Sequence, residues 1–243
     1  VEPGTGARVT LDGQGFCATW SPDGKRIIYE SRRPPKWTIY WRGIENLQAE
    51  AEELYSSQQL IALQTCTPDG TKLIVRQMPG TFWMLSLDGS RKVEPLYETK
   101  FNATFIRFSP DGRWFSWTED ESGRSEVYVQ RYPKGNRIQI SFEGGEEAIW
   151  SAKGDELFYR NRDTWMAVSV SLDPTFKAGK QRLLFQGPFI NVPDFSYDVL
   201  PDGQRFLMLM PEHPDTPVTQ LHVVLNWFDE LKRRVPVTTT KSK

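Results

Sequence analysis

The chain has 243 residues, with 30 Lys plus Arg against 31 Asp plus Glu, 13% aromatic and 25% charged. That balance argues against the concentrated basic surface selected by nucleic acids and anionic membranes, and the aromatic content argues against disorder. No stretch reaches the roughly 20 apolar residues needed to span a bilayer, and two Cys and two His give no short-spaced metal pair.

Taken in chain order, the sequence begins at Val1 without Met or a signal peptide and reads as part of a longer protein. Residues 7–13 (ARVTLDG) read as a lone outer strand, matching the later segment 136–142 (NRIQISF). Apolar residues 16–20 then lead into Ser21-Pro22-Asp23-Gly24, and an alternating segment, 26–30, follows. The turn returns as Thr67-Pro68-Asp69-Gly70 and Ser109-Pro110-Asp111-Gly112. It is degenerate in Ser151-Ala152-Lys153-Gly154 and recurs in Leu200-Pro201-Asp202-Gly203. Pro presets φ near −65°, Asp bonds its own backbone and Gly accepts positive φ, so each copy is the turn of a β-hairpin. A third strand is expected at 38–41, 82–87, 126–131, 165–170 and 220–227. A shorter, more polar outer strand follows at 53–55, 93–97, 137–141 and 182–185.

Successive turns lie about 42 to 49 residues apart, the period of four-stranded propeller blades. The expected fold is therefore an all-β propeller in one domain over 1–235, with blades near 12–56, 57–100, 101–143, 144–187 and 188–235 and a tail at 236–243. Residues 228–234 look helical. The strand at 7–13 either closes a five-bladed ring, removing exposed edges, or is what remains of a sixth blade.

With the turns placed, the repeats resemble the bacterial propellers of TolB and of prolyl-oligopeptidase-type enzymes. The segments 108–114, 119–124, 126–133, 138–145, 155–160, 197–208 and 223–234 resemble more closely the C-terminal propeller of bacterial receptor-like serine/threonine protein kinases. That resemblance implies an extracytoplasmic sensor or scaffold following a kinase and a membrane span. It also implies a six-bladed ring, from which this chain departs by lacking most of one blade.

Catalytic motifs are missing from the sequence: there is no Gly-rich phosphate loop with a His-Arg-Asp loop, and no Gly-x-Ser-x-Gly elbow. His213 and His222 stand without ligand partners. The cluster Glu119-Asp120-Glu121 precedes Ser122-Gly123-Arg124 and reads as a solvated turn, not as a glycosidase pair. Cys17 and Cys66 read as small apolar inner-strand residues, not a disulfide. Trp20, Trp117 and Trp150 are expected to pack between blades. Trp37 and Trp165 stand beside loops and are the better candidates for sugar stacking, although core packing is preferred for both.

Binding is expected on the face that carries the loops between second and third strands and between blades. On it lie Arg32, Arg33, Trp37, Phe101, Asn102, Asp120, Glu121, Arg124, Glu146, Glu147, Arg160, Arg162, Phe189 and Asn191. Arg and aromatic side chains are enriched at interfaces, so the expected partner of this monomeric, non-catalytic module is a protein or peptide. Nucleic acid, membrane insertion, metal and cofactor are not expected. The alternatives are the propeller of a prolyl-oligopeptidase-type hydrolase, separated from its catalytic domain, and a carbohydrate or small-molecule binder.

Overall fold

Each Ser-Pro-Asp-Gly turn is held by the same small network. Ser21 Oγ donates to Asp23 Oδ1 at 2.6 Å, Lys25 N donates to that oxygen at 3.0 Å, and Gly24 N closes onto Ser21 O at 2.8 Å with φ at 67°. Thr67 and Asp69 repeat it, as do Ser109 and Asp111, each hydroxyl donating at 2.6 Å. The degenerate turn survives because the carboxylate has moved: Ser151 Oγ donates to Asp155 Oδ1 at 2.7 Å, two positions beyond Lys153.

The turns also interlock. A Cβ added to Gly70 would stand 3.7 Å from Pro22 Cγ, one on Gly112 4.0 Å from Pro68 Cδ, and one on Gly154 3.6 Å from Pro110 Cδ. Each Gly thus lies against the Pro of the preceding turn. Gly203, which follows the turn where Ala152 replaces Pro, has nothing within 4 Å of that position.

The computed structural model describes residues 15–46, 49–173 and 175–211. The first antiparallel sheet runs β1 (Gly15–Trp20), β2 (Arg26–Arg33), β3 (Lys36–Gly43), β4 (Glu52–Ser57), and the second β5 (Ile61–Cys66), β6 (Lys72–Gln77), β7 (Thr81–Ser86), β8 (Val93–Tyr97). A third holds β9 (Ala103–Phe108), β10 (Trp114–Glu119), β11 (Glu126–Arg131), β12 (Ile138–Gln139), and a fourth β13 (Glu146–Trp150), β14 (Glu156–Asn161), β15 (Thr164–Ser171), β16 (Lys177–Gln186). β17 (Tyr197–Val199) and β18 (Phe206–Met208) pair on their own. No α-helix occurs among the described residues. This is the β-propeller expected from the repeat, with β1, β5, β9 and β13 side by side as the inner strands. The lone strand at 7–13, the strand at 220–227, the helix at 228–234 and both His residues lie outside the described residues.

Apolar residues alternate toward the faces between sheets. Ile28, Ile39 and Leu54 of the first sheet meet Ile61, Leu73 and Leu85 of the second. Phe82 and Ile74 meet Phe115, Trp117 and Tyr128, and Trp114 meets Trp150 and Leu157. Three expectations are corrected. Trp20 is 58% exposed rather than packed between blades, because no described sheet covers β1 on that side. The outer strand expected at 182–185 is the ten-residue β16. Glu119 is fully buried at the end of β10, not solvated, because Arg137 Nη1 donates to it at 2.8 Å and Tyr97 OH at 3.0 Å.

The turn aspartates are expected to make the fold acid-sensitive. Hydroxyl donation from Ser21 and from Thr67 lowers the pKa of Asp23 and Asp69, and the Gln204 N–H lowers that of Asp202. A depressed carboxyl stabilises the fold fully above its unfolded value near 3.8 and loses that contribution as pH falls through the folded value. Replacing all three with Asn is expected to flatten the decline of stability below about pH 3.8, read from urea denaturation at stepped pH. An unchanged slope would contradict this account.

Candidate functional site

Every complete sheet carries a β-bulge in its inner strand, and the bulges aim side chains at the axis. In β1, Phe16 and Cys17 together oppose Glu30. In β5, Gln64 is the extra residue. In β9, Phe105 and Ile106 oppose Trp117, and in β13, Glu147 and Ala148 oppose Tyr159. Phe105 and Glu147 take φ of 55° and 56°, the left-handed conformation that turns the chain there.

Around the axis, on the face of the β2–β3 loops, opens a cavity of about 220 Å³. Phe16 and Cys17 of β1, Arg32 of β2, Gln64 of β5 and Thr104 and Phe105 of β9 contribute to its wall. Leu60 enters from the link between the first two sheets, Arg76 and Met78 from the end of β6, and Pro193 and Asp194 from the long link preceding β17. Phe16, Leu60 and Met78 are 52%, 39% and 44% exposed.

Electrostatically the wall is mixed. Arg32 is paired with the buried carboxylate of Glu30 and lies 3.5 Å over the Phe16 ring. Glu30 also accepts from Leu63 N at 2.8 Å, so it staples the first sheet to the second. Arg107 lies 3.8 Å over Phe195 and donates to Gln64 O at 3.1 Å, while Phe195 meets Phe105 edge-on at 5.4 Å. Burial pushes the Cys17 thiol up to about 12, helped by the negative charges of Asp194 and Glu30. Cys66 is pushed up to about 12 by burial. Both free thiols therefore stay protonated at neutral pH, which suits packing better than nucleophilic attack. No group of three metal-ligating side chains occurs among the described residues.

The residues expected to bind divide among several settings. Arg32 lines the axial cavity. Arg124, Glu146, Arg160 and Arg162 gather round a groove of about 200 Å³ between the third and fourth sheets. Two of the expected residues are corrected from contact to structure. Glu147 is fully buried, and Arg160, 5% exposed, is spent on it: Arg160 Nη1 donates to Glu147 Oε1 at 3.1 Å and to Ser196 Oγ at 3.0 Å.

Phe189 is half-buried against Trp165 at 5.0 Å, and Trp165 is itself fully buried, which corrects its candidacy for sugar stacking. Trp37 is half-buried on the core between the first two sheets. Asn102 accepts from Arg76 Nη2 at 2.5 Å, and its N–H donates to Asp120 at 2.9 Å. Glu121 pairs with Arg137, and Asn191 Oδ1 lies 3.2 Å from Ser196 Oγ. Phe101 is half-buried beneath Lys100 at 5.2 Å, and Arg33 is exposed at the end of β2. Sequence reasoning missed Phe16, Leu60, Arg76, Met78, Phe105 and Asp194. The legible signal was apolar Leu60 and Met78 at loop positions where polar residues are the rule.

Bulged inner strands, Ser-Pro-Asp-Gly turns and an axial mouth define a β-propeller of four-stranded blades. The chain belongs to the TolB beta propeller domain family, which matches residues 16–221. Among solved structures, TolB from Acinetobacter baumannii is similar with a TM-score of 0.58 and 19% identity, over 75% of this chain and 47% of that one. An oligogalacturonate lyase in complex with manganese gives 0.59 at 11% identity, over 80% of this chain and 61% of that one. The oligogalacturonate lyase of Vibrio parahaemolyticus gives 0.56 at 14% identity, over 81% and 59%. The chain thus spans about half the length of that TolB, and at these identities the likeness is one of fold. No protein of curated function matches the sequence.

Proposed function

We propose that this chain is a non-catalytic module that binds a protein or peptide at the axial mouth. The observation that carries this reading is the ring of exposed Phe16, Leu60 and Met78 around a cavity flanked by Arg32 and Arg76. Apolar anchors beside arginines make good interface centres, and Met adapts to varied side chains. A chain segment laid over the mouth would bury those side chains while its polar groups meet the surrounding loops.

The resemblance to kinase-linked propellers extends the proposal: the module is the extracytoplasmic sensor or scaffold of a bacterial signalling protein and acts as a monomer. Among the described residues, no helix is long and apolar enough to cross a membrane, so in such a protein a span would come from another segment.

A random decapeptide mixture with free termini, passed over the immobilised chain, tests the binding reading. Retention of a subset is expected, and the Leu60→Glu, Met78→Glu double variant should lose it roughly tenfold or more with an unchanged melting temperature. No retained peptide, or equal retention by the folded double variant, would overturn the proposal.

A further inference from the structure

Arg76 is 9% exposed, lines the axial cavity and has no carboxylate within ion-pair distance among the described residues. Its Nη2 donates to Asn102 Oδ1 at 2.5 Å and to Pro79 O at 3.0 Å, both neutral acceptors, and its buried Nε has no partner among the described residues. Among the other buried or half-buried arginines nearby, Arg32 has Glu30 and Arg160 has Glu147, while Arg107 is spent on Phe195 and Gln64 O. A guanidinium taken out of water without a counter-charge is costly, and it is favoured by an anion that arrives in the same place. A carboxylate oxygen accepts a charge-assisted bond from a guanidinium N–H.

What else the cavity offers narrows the ligand. Its volume, about 220 Å³, holds a single amino-acid residue rather than an oligomer. Leu60, Met78, Phe16 and Phe105 supply an apolar wall, and Thr104, Gln64, Arg32 and the carboxylate of Asp194 supply polar atoms beside it. An apolar side chain next to a carboxylate is the chemistry of the last residue of a polypeptide.

We propose that Arg76 is the anchor for a ligand carboxylate: the partner enters C-terminus first, its α-carboxylate against Arg76 and its apolar last side chain among Leu60, Met78 and Phe105. This rests on the peptide-binding reading above and deepens it. Asn102 and Pro79 O occupy Nη2 and hold the guanidinium in place, which leaves Nη1 to donate to the anion.

The test compares two synthetic decapeptide mixtures, each random except for a C-terminal Leu, one as free acids and one as C-terminal amides, on the wild-type chain. The free acids should be retained and the amides should bind at least roughly tenfold more weakly. Arg76→Gln should abolish that difference, and Arg76→Lys should restore part of it. Equal retention of acids and amides, both lost in the Leu60→Glu, Met78→Glu double variant, would overturn the carboxylate anchor and leave the peptide-binding reading intact. Retention of neither would overturn both. Because the acid–amide comparison is made on the unaltered chain, it decides the matter even if the Arg76 variants fold poorly. Competition with N-acetyl-leucine separates the sources: displacement at a concentration matching the peptides' Kd identifies a small carboxylate as sufficient, and displacement only by longer peptides identifies a polypeptide terminus. The first of these would overturn the polypeptide, and the second supports it.

Discussion

Arg160→Met should destabilise the fold by about 3–5 kcal/mol, because it strips the counter-charge from a buried carboxylate. Glu147 is fully buried and is satisfied from three directions: by Arg160, by Ser196 N at 2.6 Å and by Ser196 Oγ at 3.1 Å. Tyr197 OH adds a bond to the Glu147 carbonyl at 2.8 Å. These contacts tie the inner strand of the fourth sheet to the chain entering β17, so their loss should loosen the fold at that junction. Burial raises the Glu147 pKa above 4.5, and the Arg160 charge partly opposes that rise. A raised carboxyl pKa gives a contribution that is whole below the unfolded value and lost as pH rises through the folded one. Without Arg160 the folded value climbs further, so the penalty should be larger at pH 8 than at pH 5. Adding Glu147→Gln to Arg160→Met should recover much of the loss. Urea denaturation at the two pH values reads all of this. A penalty within about 0.5 kcal/mol of zero, or one equal at both pH values, would contradict it.

A comparable loss, about 3–5 kcal/mol, is expected for Trp117→Ala. Trp117 has no exposed surface, and its indole meets Tyr97 at 4.7 Å, Phe115 at 5.4 Å and Tyr128 at 5.7 Å. Those rings, with Ile74, Phe82 and Met84, fill the space between the second and third sheets, so removing the indole leaves a cavity there. Trp20→Ala, by contrast, removes a mostly exposed ring and should stay within about 0.5 kcal/mol. Melting temperatures make the contrast measurable: roughly 2–4 °C is lost per kcal/mol in a domain of this size. Similar shifts for both variants would mean that the indole contacts around Trp117 carry little of the stability.

Those two tryptophans also mark what the sequence could reveal. The turn motif located every inner hairpin, because Pro, Asp and Gly each have a local reason to be there. Burial depends on a neighbour tens of residues away. Trp20 and Trp150 occupy the same slot, immediately before the turn Ser, yet Trp150 is 7% exposed and Trp20 58%. The difference is the third sheet, which covers Trp150 and receives its Nε1 bond at Arg107 O, 3.3 Å away. Carboxylates misled for the same reason. Glu119 and Glu147 sit in turn-like, polar contexts, and only the partners Arg137, Arg160 and Ser196, brought in from elsewhere in the chain, make their burial possible. The axial cavity was hidden because a bulge leaves little trace in composition: Phe16, Gln64 and Phe105 look like ordinary inner-strand residues until the extra position turns them inward.

The contact of each turn Gly with the preceding turn Pro gives the array a polarity, like boards that each carry a tongue on one edge and a groove on the other. The fourth unit keeps its groove, Gly154, but has lost its tongue, because Ala152 stands where Pro is needed. The units are therefore not interchangeable. A duplicated unit spliced between the second and third would find both edges matched, whereas one spliced after the fourth would abut a blank edge. An engineer lengthening this propeller should cut at the former seam, or first restore Ala152→Pro.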